Sequence, residues 1–262
     1  MKSKLAITVC LGAVLLFGCS YNTEPAQMPA DEHKGEQIGQ AGGQGKVVRL
    51  DEKYFNDVEE VNGEQVIKNT DNPLILVNKQ SARLPDDYVP EDLVRPDVRF
   101  SFGEEDVEKS YMRKEAAEAL EEMFRAAEKD GIYLYAVSGY RSYERQRQVF
   151  QYEVSQSGEE QALEVVAYPG QSEHQTGLAM DISSQSANLL LTEFFGETEE
   201  GKWLRDNAHR FGFILRYPED KEHITGYSYE PWHFRYVGKE FAKIMYENGW
   251  TLEEFFDYAE RR

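Results

Sequence analysis

Cysteine is almost absent from this chain of 262 residues. The two cysteines, Cys10 and Cys19, both lie close to the N-terminus. The rest of the chain therefore has no internal disulfide, and it offers no thiolate as a zinc ligand. Its stability must come from side-chain packing, aided by any metal that it binds.

Positive charge is also scarce. The chain has 29 Lys and Arg against 48 Asp and Glu, which gives a net charge of −19 at pH 7. A protein that binds nucleic acid or anionic lipid through its general surface needs clustered Lys and Arg. The composition argues against nucleic acid as a partner, and an anionic substrate would need a local pocket of positive charge.

One long apolar run stands at the N-terminus, from Leu5 to Phe17. It is too short to span a bilayer, and it follows Lys2 and Lys4, which is typical of an export signal. We therefore predict that residues 1–19 are a signal peptide and that the mature protein is extracytoplasmic.

The run ends in Leu16-Phe17-Gly18-Cys19-Ser20. This segment resembles a bacterial lipobox, in which a lipid is attached to the cysteine sulfur. The resemblance predicts that Cys19 anchors the protein to the outer face of the cytoplasmic membrane. Phe17 stands where a lipobox usually has a small or β-branched residue, so secretion without an anchor is the alternative.

The rest of the chain divides into a tether and one domain. Residues 20–47 are polar and rich in Gly and Gln, which predicts a flexible tether. Residues 48–262 have the size of one domain with its own core. Their strands and helices show no βαβ rhythm, so we expect an α+β fold with a central, mostly antiparallel sheet flanked by helices. We expect a monomer.

Hydrophobic spacing and capping residues locate the main elements. Ala116, Leu120 and Phe124 recur at helical spacing, and Ser142 precedes a second helix as its N-cap. Thr251 and the acid three residues later form a capping-box pattern. The predicted helices cover 112–129, 199–210, 239–247 and 252–260, with another that starts at 143 and continues through 159–167. The predicted strands cover 132–140, 177–182, 213–217 and 233–237, and an extended arm covers 54–100.

Two short segments, residues 172–181 and 230–236, are dense in side chains that can bind a metal. A catalytic zinc site takes three His or carboxylate ligands and leaves a fourth position open. His174, Asp181 and His233 would supply these three ligands. A single histidine beside aromatic residues is more often a core residue, but two such segments together favour a metal site.

Glu230 lies three residues before His233, with Pro231 between them. Proline makes a helical H-E-x-x-H arrangement unfavourable. On a regular strand this odd spacing would put the two side chains on opposite faces, so we predict a local irregularity at Pro231 and Trp232. Glu230 would then lie beside the metal as a general base.

The motifs resemble one known family. They are S-x-H-x-x-G-x-A-x-D at 172–181, E-P-W-H-F-R-Y at 230–236 and S-G-Y-R-S-Y at 138–143, followed by Gln146. Together they are similar to the D-alanyl-D-alanine carboxypeptidases of the VanY and LdcB type, which are zinc peptidases. The similarity runs from about residue 72 to the C-terminus.

The resemblance implies a zinc-dependent carboxypeptidase that removes the C-terminal D-alanine from peptidoglycan stem peptides. The bond cut is either the L-to-D bond of a tetrapeptide or the D-Ala-D-Ala bond of a pentapeptide. The sequence as a whole resembles the LdcB group more closely. The implied roles are Zn²⁺ binding by His174, Asp181 and His233, general base catalysis by Glu230, oxyanion stabilisation by Arg141, and substrate contacts by Gln146, Ser172 and Tyr217.

Two other functions remain open on the sequence. A lipoprotein could bind wall peptides without cutting them, although the intact Glu230 argues against this. An endopeptidase could cut peptide cross-links, and it would not need a free C-terminal carboxylate on its substrate.

Overall fold

The structure of the protein is a computed structural model that describes residues 47–262. The predicted signal peptide, Cys19 and the tether up to residue 46 lie outside the described residues and stay predictions, as does the predicted domain boundary at residue 48. Within the described part of the chain, no helix combines the length and hydropathy that crossing a membrane requires.

Residues 47–262 form seven α-helices and ten short strands. The helices are α1 (Lys114–Lys129), α2 (Tyr143–Ser157), α3 (Glu159–Val165), α4 (Glu199–Asn207), α5 (Glu222–Thr225), α6 (Lys239–Asn248) and α7 (Leu252–Asp257). The strands are β1 (Val48–Leu50), β2 (Val58–Val61), β3 (Glu64–Ile67), β4 (Leu93–Val94), β5 (Met112–Arg113), β6 (Tyr135–Ser138), β7 (Ala179–Ser183), β8 (Phe213–Leu215), β9 (His233–Tyr236) and β10 (Ala259–Arg261).

The predicted α+β class is confirmed. The largest sheet has the strand order β6-β7-β9-β8 and is antiparallel throughout. Three two-stranded sheets were not predicted: β2 with β3 and β4 with β5 are antiparallel, and β1 with β10 is parallel. The β1–β10 sheet pairs the first and last strands of the described chain.

Helix α1 forms where hydrophobic spacing predicts it. Ala116, Leu120 and Phe124 are buried on one face and join the main hydrophobic core. Gly131 follows the helix with a φ of +79°, a backbone conformation that favours glycine. The prediction began two residues early, because Met112 and Arg113 belong to β5.

The capping predictions are confirmed. Ser142 accepts a hydrogen bond from the backbone N–H of Arg145 at the start of α2. At α7, the Thr251 hydroxyl accepts from the Glu254 N–H, and the Glu254 carboxylate accepts from the Thr251 N–H. These bonds satisfy N–H groups that a helix start leaves without intrahelical partners.

Three local predictions are wrong. Helix α7 ends at Asp257, and the residues after it form β10 instead of a last helical turn. The predicted helix 199–210 ends at Asn207 and continues as a 3-10 turn, Ala208–Phe211. The helix predicted from 143 through 167 is divided into α2 and α3 at Gly158, which has a φ of +88°.

Alternation along the two inner strands positions the functional site. On β7, Met180 and Ile182 pack into the main hydrophobic core, as does Phe234 on β9. Successive strand residues point to opposite faces, so Asp181 and His233 project from the other face of the sheet. The core on one side therefore fixes the direction of the polar side chains on the other.

Candidate metal centre

Asp181 and His233 lie directly opposite each other on β7 and β9. Residues opposite each other in an antiparallel pair have side chains close enough to interact. Oδ1 of Asp181 lies 3.1 Å from Nδ1 of His233. The register of the sheet therefore sets the distance between two of the three predicted ligands.

His174 reaches the same place from the chain that leads into β7. It lies in the 3-10 turn Glu173–Thr176, which ends at Gly177 with a φ of +68°. Its Nε2 lies 3.4 Å from Oδ2 of Asp181. One ligand atom each from His174, Asp181 and His233 lies within 4.8 Å of the other two, and all three residues are buried.

The remaining ring nitrogens of the two histidines are held by the protein. Nδ1 of His174 lies 2.7 Å from the carbonyl oxygen of Gly139, and Nε2 of His233 lies 3.2 Å from Oε2 of Glu173. A ring nitrogen that donates its proton in this way leaves the other nitrogen with a lone pair for a metal. Two imidazole nitrogens and one carboxylate, with no cysteine among residues 47–262, fit zinc.

The electrostatics of the pocket favour a cation. Burial and the Arg141 guanidinium lower the pKa of His174 to about 3, which keeps that ring neutral. Burial also acts to lower the pKa of His233, but hydrogen bonds to Asp181 and Glu173 outweigh it and raise that pKa to about 9. The carboxylates that hold a proton on His233 also attract a divalent ion, which competes with that proton.

The predicted irregularity before β9 is confirmed. The carbonyl of Glu230 accepts a hydrogen bond from the N–H of His233, which closes a turn over Pro231 and Trp232. This turn brings Oε2 of Glu230 to 3.9 Å from Nδ1 of His233. Burial raises the pKa of Glu230 to about 7.

Arg141 and Gln146 form a connected pair at the side of the pocket. Nη1 of Arg141 donates to Oε1 of Gln146 over 2.9 Å, and its Nη2 donates to Ser138 over 3.3 Å. Nε2 of Gln146 donates to the carbonyl oxygen of Ala167 over 2.7 Å. Burial lowers the pKa of Arg141 and the nearby carboxylates raise it, but a guanidinium stays charged at neutral pH.

Ser172 and Tyr217 complete the predicted set. Both are buried, and the Tyr217 ring centroid lies 4.9 Å from that of His233. The structure therefore brings all eight predicted residues of the domain to one pocket, whereas Cys19 lies outside the described residues. They are Arg141, Gln146, Ser172, His174, Asp181, Tyr217, Glu230 and His233.

Sequence reasoning missed two residues of this pocket. Glu173 is 2% exposed and contacts His233, although it stands between two predicted site residues in the motif. A buried acid needs positive partners, and those of Glu173 lie 43 and 62 residues away along the chain. Tyr227 also lines the pocket, with a buried hydroxyl that has no hydrogen-bond partner among the described residues.

The pocket has the ligand set and neighbouring charged groups of a mononuclear zinc hydrolase. Comparison with known protein families then identifies the kind of hydrolase. Residues 109–239 match the family model described as VanY, D-alanyl-D-alanine carboxypeptidase. The chain belongs to this family.

Three similar proteins agree with this assignment. YodJ of Bacillus subtilis (strain 168), assigned as a carboxypeptidase, is 51% identical and aligns with 100% of this chain and 96% of its own length. The solved LdcB LD-carboxypeptidase is 58% identical with a TM-score of 0.79, covering 82% of this chain and 99% of that chain. A VanY D,D-pentapeptidase variant from a VanB-type vancomycin-resistance cassette, solved with Zn(II), is 38% identical with a TM-score of 0.57, covering 70% of this chain and 98% of that chain. The predicted family, enzyme class and zinc cofactor are confirmed.

The substitution Gly139→Ala, which adds one methyl group, tests whether the Gly139 carbonyl orients His174. A Cβ on Gly139 would overlap the carbonyl oxygen of Tyr111, so the backbone that carries the Gly139 carbonyl must shift. We expect Gly139→Ala to weaken zinc binding by about 10–100-fold, because an outer partner of a ligand is displaced. Competition with a chelating dye measures this change.

Gly131→Ala is the matched control. Gly131 has a φ of +79°, and a Cβ there meets no atom within 4 Å. That substitution should strain the backbone and lower the free energy of unfolding while leaving zinc affinity unchanged. Equal zinc affinity in the Gly139→Ala protein and the wild type would refute the role of the Gly139 carbonyl.

Proposed function

We propose that this protein removes the C-terminal D-alanine from peptidoglycan stem peptides and that it prefers the tetrapeptide, whose L-to-D bond it cuts. The observation that carries the activity is the meeting of three buried ligands with Glu230 and Arg141 in one pocket. The choice of bond is supported by greater similarity to the LD-carboxypeptidase than to the D,D-pentapeptidase, in both identity and fold.

We assign one zinc site to His174, Asp181 and His233. A zinc ion bound there supplies Lewis-acid activation of water and of the substrate carbonyl. The protein contributes the orientation of the two imidazoles, which Gly139 and Glu173 fix through the outer ring nitrogens.

Glu230 is the proton carrier in this proposal. Its carboxylate accepts a proton from the attacking water and then delivers it to the amine of the departing D-alanine. Burial raises its pKa to about 7, and a cation nearby would lower it again. A carboxyl group in that range can both accept and donate a proton near neutral pH.

We assign Arg141 the role of stabilising the negative charge that develops on the substrate carbonyl oxygen. Its guanidinium is partly buried and is already held by Gln146 and Ser138, so little reorganisation is needed when the charge forms. Fixed donors of this kind supply about 3–4 kcal/mol of transition-state stabilisation each.

Gln146, Ser172 and Tyr217 are assigned to substrate binding, with the free carboxylate of the substrate meeting Gln146 and Ser172. The Gln146 amide nitrogen has two N–H groups, and the bond to Ala167 uses one of them. The second N–H and the Ser172 hydroxyl can donate to a carboxylate. Apolar side chains such as Val149 line the same pocket and suit a small methyl group.

We also propose that the protein acts as a monomer, tethered outside the cytoplasmic membrane by a lipid on Cys19. The lipobox-like segment and the polar residues 20–47 support this location. A tether of that composition would let the domain reach wall peptides from the membrane surface.

The role of Glu230 predicts a selective loss of turnover. Glu230→Gln should keep a full equivalent of zinc, measured by elemental analysis, and should lower kcat by about 10²–10⁴-fold because the amide cannot accept the proton. Glu222→Gln, a substitution at an exposed acid on α5, is the control and should leave kcat unchanged. Normal turnover by Glu230→Gln would disprove the mechanism.

Bond specificity is tested with purified tetrapeptide and pentapeptide stems, followed by mass spectrometry. We expect release of D-alanine from the tetrapeptide with a kcat/KM at least about tenfold above that for the pentapeptide, a difference of about 1.4 kcal/mol in transition-state binding. A preference for the pentapeptide would make the enzyme a D,D-carboxypeptidase.

The same assay separates the other functions. A tetrapeptide with an amidated C-terminus should not be cut, because the proposed site binds a free carboxylate. Cleavage of the amidated peptide would instead support an endopeptidase. Binding without hydrolysis of any stem peptide would support a non-catalytic wall-peptide-binding protein.

The proposed anchor predicts a cysteine-dependent location. In a bacterial host, the wild-type protein should fractionate with membranes and Cys19→Ala should lose its lipid, as mass spectrometry of the N-terminal peptide would show. Cys10→Ala changes the other cysteine of the segment and should remain membrane-bound. Wild-type protein found free in the medium would mean that the protein is secreted without an anchor.

A further inference from the structure

Glu173 lies between the predicted ligand His233 and two buried arginines. Its Oε1 accepts from Nε of Arg216 and from Nη1 of Arg235, each over 2.7 Å. Its Oε2 lies 3.2 Å from Nε2 of His233. The side chains of Glu173, Arg216 and Arg235 are all 0% exposed.

The two arginines connect Glu173 to distant parts of the chain. Arg216 donates to both carboxylate oxygens of Glu253 on α7, over 2.9 and 2.6 Å. Arg235 donates to the carbonyl oxygens of Pro73 and Ile75, over 3.0 and 2.9 Å. The position of the Glu173 carboxylate is therefore set by the C-terminal helix and by the buried segment around residue 74.

The contacts of His233 make its tautomer the critical property. Asp181 lies 3.1 Å from Nδ1, so a proton on Nδ1 would be stabilised by Asp181 and would block that nitrogen as a metal ligand. Glu173 stabilises the alternative, a proton on Nε2. The two carboxylates therefore favour different tautomers of His233. The arginines hold Glu173 within hydrogen-bond distance of Nε2, which favours the tautomer with its proton there.

We propose that Glu173 is a positioning residue that holds His233 in its metal-binding tautomer, and that Arg216 and Glu253 form a relay that aligns Glu173 from helix α7. This inference rests on the proposed role of His233 as a ligand. It assigns a function to three charged residues, Glu173, Arg216 and Glu253, that are outside the proposed sets of metal ligands and substrate-binding residues.

Stability alone gives a poor account of this network. Taking charged groups out of water costs free energy, and well-packed apolar residues of similar volume often stabilise a fold equally well or better. Here one carboxylate and two guanidiniums are fully buried beside the proposed ligand His233, and a second carboxylate, that of Glu253, is 13% exposed. Their charges balance, so the cluster can orient His233 without adding net charge beside the ion.

The experiment uses the full-length protein and two readouts besides activity. In metal-free protein held at a pH above about 9, the value to which Asp181 and Glu173 raise the pKa of His233, the ring is neutral. Nitrogen-15 NMR of the imidazole then reports which of its nitrogens carries the single proton. We expect the Nε2–H form in the wild type and a shift toward the Nδ1–H form in Glu173→Gln. Titration with zinc against a chelating dye should show affinity about 10–100-fold weaker in that variant.

Glu253→Gln tests the relay from outside the pocket. It removes one charge from the Arg216 contact. It should also weaken zinc binding, but by less than Glu173→Gln does. Glu254→Gln is the matched control on the same helix, because it removes the ion pair with Lys221 without touching Arg216, and glutamine can still accept the capping-box hydrogen bond from Thr251. It should lower the free energy of unfolding and leave zinc affinity unchanged.

Two results would overturn the proposal. One is a His233 tautomer and a zinc affinity in Glu173→Gln that equal those of the wild type. The other is an equal loss of zinc affinity in Glu253→Gln and Glu254→Gln, because general destabilisation would then explain both. If the wild type itself bound no zinc, the proposed function would fail, while the tautomer of the metal-free protein would still test Glu173.

Discussion

The pairing of Asp181 with His233 across strands β7 and β9 is the constraint on which the site depends. It holds only in one register, because a slip of either strand by one residue would turn its own site residue, Asp181 or His233, toward the hydrophobic core. The buried Met180, Ile182 and Phe234 oppose such a slip, since it would expose them on the polar face. Packing on one face of the sheet therefore specifies chemistry on the other, and His174 needs only a short turn before β7 to complete the set.

Two carboxylates near His233, those of Glu173 and Glu230, have environments that shift their pKa values in opposite directions. This difference suits them to different roles. Burial acts to raise the pKa of Glu173, but Arg216 and Arg235 outweigh it and hold that pKa well below its usual range. Glu230 is also largely buried but lacks such close guanidinium partners among the described residues, and its pKa rises to about 7. Groups whose surroundings push their pKa values apart are suited to different tasks. The first suits a fixed anion, and the second suits a proton carrier.

The local features that depend on residues close together in the chain could be predicted from the sequence. The starts of α2 and α7 follow from caps within three residues, and the turn at Pro231 follows from proline itself. The three residues of the candidate metal centre were predicted from two short motifs. The pairing of β1 with β10 could not be predicted, because it joins strands some two hundred residues apart. The role of Glu173 was missed for the same reason, since both arginines that bind it are distant in the sequence.

The segment around residue 74 shows why such distant contacts matter. Leu74 and Ile75 are fully buried, yet they belong to no strand, although their composition predicts one. Buried backbone carbonyls still need hydrogen-bond donors, and the Arg235 side chain serves Pro73 and Ile75 in place of a neighbouring strand. The same guanidinium holds Glu173. One arginine thus satisfies the irregular backbone and holds the carboxylate that contacts His233, so the packing of this segment is linked through hydrogen bonds to the candidate metal centre.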